Sequence, residues 1–255
     1  MKLTFLGTGT STGVPQIGCR CEVCRSSDPL DRRLRASALV ETDSGKHILI
    51  DCGPDFREQI LRVGTPALDC ALLTHSHYDH VGGLDDLRPY CADGPFPLYC
   101  QKDVSDDLHD RLPYCFKRHV ATMVPSYDIH KVKPGRSFRI EGDDLEITPL
   151  RVMHYKLPIL GFRLGRLAYV TDCKTMPRET VEALRGVDTL VLNALRFKEH
   201  ISHLSLSQAL ELIGEIKPRE AYLTHMSHGI GFHSVTAPTL PENVFLAHDF
   251  QTITV

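Results

Sequence analysis

Three histidines and an aspartate occupy six consecutive positions, His75-Ser76-His77-Tyr78-Asp79-His80. They follow the apolar run Cys70-Ala71-Leu72-Leu73-Thr74, which reads as a buried strand. Neutral imidazole is the commonest biological ligand for zinc and similar ions, and carboxylate joins it readily. Side chains two apart on an extended segment point the same way, so His75 and His77 can reach one ion. Asp79 and His80, after the chain turns, can reach another. Gly82 and Gly83 then permit a tight turn into the next element. The same placement recurs downstream, where His154 ends LEITPLRVM, Asp172 ends LAYVT and His225 ends AYLT. Each lies just past a candidate strand, and together these are seven ligands for two divalent ions. Imidazole favours zinc, while the two aspartates also tolerate manganese or iron.

A second constellation is Cys19-Arg20-Cys21-Glu22-Val23-Cys24. Three thiolates in six residues can occupy three corners of a tetrahedral zinc site. His228, three residues after His225, is the candidate fourth ligand. A closed site of that kind is structural and would pin the Gly/Thr/Cys-rich loop at about 7–35 beside the other ligands. The remaining cysteines, Cys52, Cys70, Cys91, Cys100, Cys115 and Cys173, are scattered and read as small buried apolar residues. The odd total of nine argues against a disulfide framework.

These residues need strands to carry them. Apolar, β-rich runs recur at 2–6, 36–42, 47–51, 68–74, 145–152, 158–171, 188–193, 219–224 and 251–255, with turn signals at Asp43-Ser44-Gly45 and Gly165-Arg166. Helical spacing fits 54–63, 103–112, 177–185 and 205–215, and Ser202 or Ser205 is a candidate cap for the last. A block of hairpin strands with helices, followed by a second similar block, predicts an α/β (α+β) domain of two sheets packed face to face with helices outside. We expect one domain over 1–255. The chain is near the globular average, with 42% hydrophobic and 24% charged residues, which excludes wholesale disorder. Its formal charge of -3 disfavours a generally basic nucleic-acid surface. No apolar run reaches the ~18 residues of a membrane span, and the first residues lack a signal-peptide pattern, so the expected location is cytoplasmic. Arg32, Arg33, Arg35 and Lys156 offer positive charge for a phosphate, but each singly reads as part of a solvated basic face.

At this point the motifs resemble a family. HSHYDH is similar to the HxHxDH signature of the metallo-β-lactamase superfamily, with His154, Asp172 and His225 where that family places its remaining ligands. The resemblance implies a four-layer αββα sandwich with metals at one edge. It implies His75, His77 and His154 on one ion, Asp79, His80 and His225 on the other, and Asp172 bridging. Asp51, in Ile50-Asp51-Cys52-Gly53, would orient a ligand histidine. The combination GTGTSTGVPQIGCRCEVC, HSHYDH and LTHMSH closely resembles the phosphodiesterase branch linked to the carbon–phosphorus lyase pathway. Members of that branch complete the same cysteine cluster with a histidine, and they cleave cyclic phosphates of ribose and 2′,3′-cyclic nucleotides. A homodimer is implied by the same likeness. The pyrroloquinoline quinone biosynthesis protein B has a similar cysteine cluster, but the complete dinuclear ligand set argues against it.

The expected chemistry is hydrolysis of a small phosphodiester, cyclic ones included, by hydroxide bridging two ions. Asp79 and His203 are the candidate catalytic residues. His203, in H-L-S-L-x-x-A-L, resembles the family position that protonates the leaving alkoxide, with His200 as a rival. Nucleic acid is disfavoured as a partner except as a cyclic nucleotide or short oligonucleotide. Alternatives are a transfer-RNA 3′-end nuclease, for which no Gly/Pro-rich arm is visible, a thioester or lactone hydrolase, and a non-catalytic binding protein on the same fold.

Overall fold

The computed structural model describes residues 1–116 and 124–255. In chain order its strands are β1 Lys2–Gly7, β2 Ser37–Glu41, β3 His47–Ile50, β4 Cys70–Leu72, β5 Phe96–Cys100, β6 Tyr127–Lys131, β7 Ile147–His154, β8 Leu157–Leu164, β9 Leu167–Val170, β10 Thr189–Asn193, β11 Glu220–Thr224, β12 Val244–Leu246 and β13 Thr252–Thr254. Its α-helices are α1 Phe56–Arg62, α2 Tyr78–Val81, α3 Lys102–Arg111, α4 Arg178–Leu184, α5 Leu206–Ile216 and α6 His233–Thr236. One sheet runs β13-β1-β2-β3-β4-β5-β6 and the other β12-β11-β10-β9-β8-β7.

Strand alternation builds the layers. Side chains of a strand point to opposite faces in turn. Ile48 and Ile50 join the core between the sheets, where they meet Leu160, Phe162, Tyr169 and Val191. Leu49 between them faces the other way, into the layer with Phe56 and Ile60 of α1 and Val104 and Leu108 of α3. The second sheet repeats this. Val191 points to the central core, while Leu190 and Leu192 pack with Leu184 of α4 and Ala209 and Ile213 of α5. The result is the expected αββα sandwich. Helix α5 starts where the sequence allowed it, because Ser205 and Gln208 form a reciprocal capping box.

Three strands were not legible in advance. β5 and β6 carry polar residues and a proline, and β12 has three residues. The C-terminal strand also leaves the second block and pairs antiparallel with β1 in the first sheet. The run 158–171 is two strands, broken at the Gly165 turn.

The parallel pairings matter most for the site. β3, β4 and β5 are parallel neighbours, and so are β9, β10 and β11. Parallel strands end at the same edge, so the residues just past them gather there. A backbone hydrogen bond from Leu160 N to Thr74 O (3.0 Å) ties the two sheets together at that edge. Among the described residues no helix is long and apolar enough to cross a membrane.

Candidate metal centre

Asp51 follows β3, His75 follows β4, Asp172 follows β9 and His225 follows β11, while His154 closes β7. Asp51, Asp172 and His225 hold left-handed backbone, with φ of 60°, 56° and 54°. Such strain in non-glycine residues clusters where structure over-determines a functional side chain. Asp79 and His80 sit on the single turn of α2, which is backed by the loop after β3. Cys52 N donates to His80 O (2.8 Å) and Gly83 N to Cys52 O (2.9 Å). This approach demands glycine: a Cβ on Gly53 would lie 2.2 Å from Asp79 O, and one on Gly83 would lie 2.0 Å from Gly53 O.

Asp172 is the centre of the cluster. Its Oδ1 lies 3.3 Å from His80 Nε2 and 3.2 Å from His225 Nε2. Its Oδ2 faces His75 Nε2 at 3.9 Å and His203 Nδ1 at 3.8 Å. Asp79 Oδ2 adds contacts to His80 Nε2 (3.2 Å) and His225 Nε2 (3.5 Å). Asp79, His80, Asp172 and His225 thus converge as one four-ligand group with donor atoms within 4.8 Å of one another. On the other side His75 Nε2 lies 3.0 Å from His77 Nδ1, and the His154 ring lies 5.2 Å from that of His77. There His154, Asp172 and His203 also place donor atoms within 4.8 Å of one another. His203, expected as a proton donor, therefore also stands at ligand distance. Its rival His200 lies one ring further out, 5.2 Å from His203, with its Nδ1 near Ser202.

A hydrogen-bond relay sets which nitrogens face inward. His80 Nδ1 donates to Asp51 Oδ2 (2.7 Å). Thr74 donates to the same carboxylate from N (2.8 Å) and Oγ1 (2.9 Å), so its hydroxyl oxygen accepts from His75 Nδ1 (2.9 Å). His154 Nδ1 donates to Asp172 O (3.0 Å). Each ring thereby turns its Nε2 to the centre, and a cation there would displace the proton that the surrounding carboxylates favour on His80. His80 Nε2, His225 Nε2 and His203 Nδ1 are buried and have no hydrogen-bond partner. Buried polar atoms are normally satisfied, so converging lone pairs without partners fit a cation. The charges agree. Burial alone would lower His80, yet Asp172, Asp51 and Asp79 hold its pKa well above the usual range. Burial opposes ionisation of Asp172, but His225 and His80 keep it well below the carboxylate range. Burial pushes His75 down, and brings His203 down to about 3 with help from His225. The donor set, imidazole and carboxylate around an anionic pocket, suits divalent ions.

The cysteine loop assembles as a separate group. Cys19, Cys21, Cys24 and His228 place donor atoms within 4.8 Å of one another. His228 Nδ1 is 3.2 Å from Cys24 Sγ and 3.5 Å from Cys19 Sγ. Backbone amides lower the Cys19 thiol, the Cys21 amide most, whereas burial raises Cys24 to about 11.

Arg32 and Lys156 are exposed as expected, but Arg33 and Arg35 depart from expectation. Arg33 is 4% exposed rather than solvated. It donates to Thr8 Oγ1 (2.8 Å) and Ala247 O (2.7 Å), holding the loop onto the C-terminal region. Asp249 completes that anchor by accepting from Thr8 N (2.8 Å) and Leu34 N (2.6 Å). Arg35 is paired with Asp55 at 2.8 Å. Sequence reasoning also passed over Thr74 and Asn193. The Asn193 amide brackets Cys173 N (2.7 Å) and O (3.0 Å) and so fixes the turn after Asp172. The only sequence signal was a polar residue ending a buried strand.

This chain belongs to the β-lactamase superfamily, whose domain model matches residues 46–226, and it has the metallo-β-lactamase fold. Within that class it falls in the PhnP family. The crystal structure of a new diphosphatase from that family superposes with a TM-score of 0.91 at 40% identity, covering 100% of this chain and 97% of that one. Zn(2+)-bound PqqB from Methylobacterium extorquens shares the fold, with a TM-score of 0.83 at 19% identity over 100% of both chains. An octanoyltransferase of Porphyromonas gingivalis is 45% identical over 250 residues. That match takes in 98% of this chain but 50% of the octanoyltransferase, so the chain spans half the length of that relative.

Proposed function

We propose that the chain is a dinuclear metal-dependent phosphodiesterase acting on a small phosphodiester, linear or cyclic. The observation that carries this reading is the set of partnerless buried imidazole nitrogens converging on Asp172. The PhnP-family diphosphatase supports it. In this reading His75, His77 and His154 hold one ion, Asp79, His80 and His225 the other, and Asp172 touches both. Two divalent ions there supply an ionised water near neutral pH and neutralise phosphoryl oxygens. Asp51 and Thr74 keep the ligand rings in the tautomer that binds metal. His203 gives a proton to the leaving oxygen. An anionic phosphoryl group beside it raises its proton affinity, offsetting the burial that holds it at about 3. Cys19, Cys21, Cys24 and His228 hold a structural zinc that fixes the loop at about 7–35.

A second reading is an acyl-thioester hydrolase, favoured by the likeness to half of an octanoyltransferase. Acyl transfer through the enzyme would need an accessible nucleophile at the centre. Cys173, beside Asp172, is fully buried, and burial pushes its thiol far above the usual range. Cys173 is therefore no acyl carrier, and in this second reading water is the acceptor.

The deciding experiment is manganese-supported hydrolysis of bis(p-nitrophenyl) phosphate and 2′,3′-cyclic AMP, with an octanoyl thioester in parallel and Asp172→Asn as control. Asparagine tolerates the left-handed backbone there. Turnover of both phosphodiesters, lost in the control, supports the proposal. A fully metallated protein that cleaves only the thioester overturns it in favour of the second reading.

A further inference from the structure

The turn between β7 and β8 carries a feature that metal binding does not use. His154 pairs with Leu157, so Tyr155 and Lys156 form a two-residue hairpin turn. Tyr155 takes φ 56°, a position where glycine or asparagine is at home and a bulky side chain is strained. Of the seven non-glycine residues with left-handed backbone among the described residues, three are Asp51, Asp172 and His225 of the centre, and Tyr155 directly follows the fourth strand-end residue, His154. Yet Tyr155 is no ligand, and its ring is half exposed. Lys156 Nζ lies over that ring, 5.4 Å from its centroid, and makes no ion pair among the described residues. Of nine large apolar side chains left exposed among the described residues, Tyr78, Tyr155, Leu157 and Ile201 lie within three residues of His77, His154 or His203. Apolar surface left open at this edge, on the loops that carry the ligands, is a place for part of a substrate.

We infer that the Tyr155–Lys156 turn is a specificity-determining finger that stacks a nucleobase of the substrate beside the metal centre. The inference rests on the phosphodiesterase reading and names the group that the diester carries. An exposed phenol ring stacks a flat heterocycle whatever its sequence identity, and the ammonium covering one face leaves the ring's remaining surface for the base. The backbone strain is retained because glycine or asparagine, which would relieve it, cannot stack.

The test compares two substrates with one leaving group, thymidine 5′-(p-nitrophenyl phosphate) and methyl p-nitrophenyl phosphate, on wild type, Tyr155→Asn and Tyr155→Phe. Tyr155→Asn is expected to lower kcat/KM for the thymidine ester about tenfold while leaving the methyl ester within about twofold. Its Tm holds or rises, because asparagine accepts the left-handed turn. Tyr155→Phe keeps the ring and keeps the preference. Equal loss on both esters, or no loss on either, overturns the finger. Calorimetric binding of thymidine 5′-phosphate and methyl phosphate to the metal-loaded proteins separates this from failure of the phosphodiesterase reading. If wild type turns over neither ester, tighter binding of the nucleotide that Tyr155→Asn abolishes still supports the finger. Equal binding of the two phosphates by wild type rejects it.

Discussion

Replacing Asp51 by asparagine changes one atom of the relay and tests the logic of the whole centre. The side chain is fully buried and accepts from Thr74 N, Thr74 Oγ1 and His80 Nδ1. Asparagine suits φ 60° and occupies the same volume, so the backbone stays. Its amide has one accepting end. The Thr74 backbone N–H cannot reverse, so the amide oxygen must face Thr74 and the NH2 must face His80. His80 Nδ1 then becomes an acceptor and its proton moves to Nε2, the nitrogen 3.2 Å from Asp79 and 3.3 Å from Asp172. A protonated Nε2 has no lone pair for a cation. Losses at such orienting partners run about 10–100-fold in metal affinity, or ~1.4–2.8 kcal/mol. Stability of the metal-free protein should move by less than about 2 kcal/mol, since a hydrogen bond survives on each side of the amide. Chelator competition gives the affinity, and thermal unfolding of the stripped protein gives the stability. Metal affinity within about twofold of wild type in a folded Asp51→Asn protein would refute the tautomer argument.

The other predictions concern the acid, the thiolate site and the close approach behind the ligands. His203→Ala should slow esters with poor leaving groups about 10²-fold or more and activated aryl esters far less, because only an alkoxide needs the proton. Equal slowing across a leaving-group series would instead assign His203 to metal binding, which its 3.8 Å approach to Asp172 also permits. Cys21→Ala should lower zinc content by about one ion per chain and lower Tm, while metallated, folded protein keeps turnover. Zinc affinity at that site should rise with pH. Burial holds the Cys24 thiol near 11, so binding must expel its proton, and the penalty grows as pH falls. Equal affinity at pH 6 and at about pH 8 would remove Cys24 from the ligand set. Gly83→Ala should destabilise by about 3 kcal/mol or more, since its Cβ would meet Gly53 O at 2.0 Å with backbone on both sides. Denaturant unfolding reads that directly, and a loss below about 1 kcal/mol would show that the loop gives way.

The sequence made one class of facts visible and hid another, for a physical reason. Strand alternation and ligand type are local. A run such as TLVLN or CALLT must be buried on both faces, and a histidine or aspartate at its end has to serve something other than the core. The seven histidine and aspartate ligand candidates, the three cysteines and His228, the capped start of α5 and the two-sheet architecture were therefore legible. β5, β6 and β12 were not, because their pairing comes from neighbours distant in sequence rather than from their own pattern. Arg33 looked like surface charge until the fold supplied Thr8, Ala247 and Asp249 around it.

Tertiary structure alone decided the rest. It set Asp172 between His75 and His80 of one segment and His203 and His225 of another, more than a hundred residues along the chain. It joined Asp51 to His80 directly and to His75 through Thr74, and so fixed which nitrogen of each ring faces the centre. It brought His203 rather than His200 to the edge of the centre, with Nδ1 3.8 Å from Asp172. Ligand identity is written in residue types. Which lone pairs converge depends on strand register, on the common edge of parallel strands and on buried hydrogen bonds between distant segments, and no single stretch of sequence contains those.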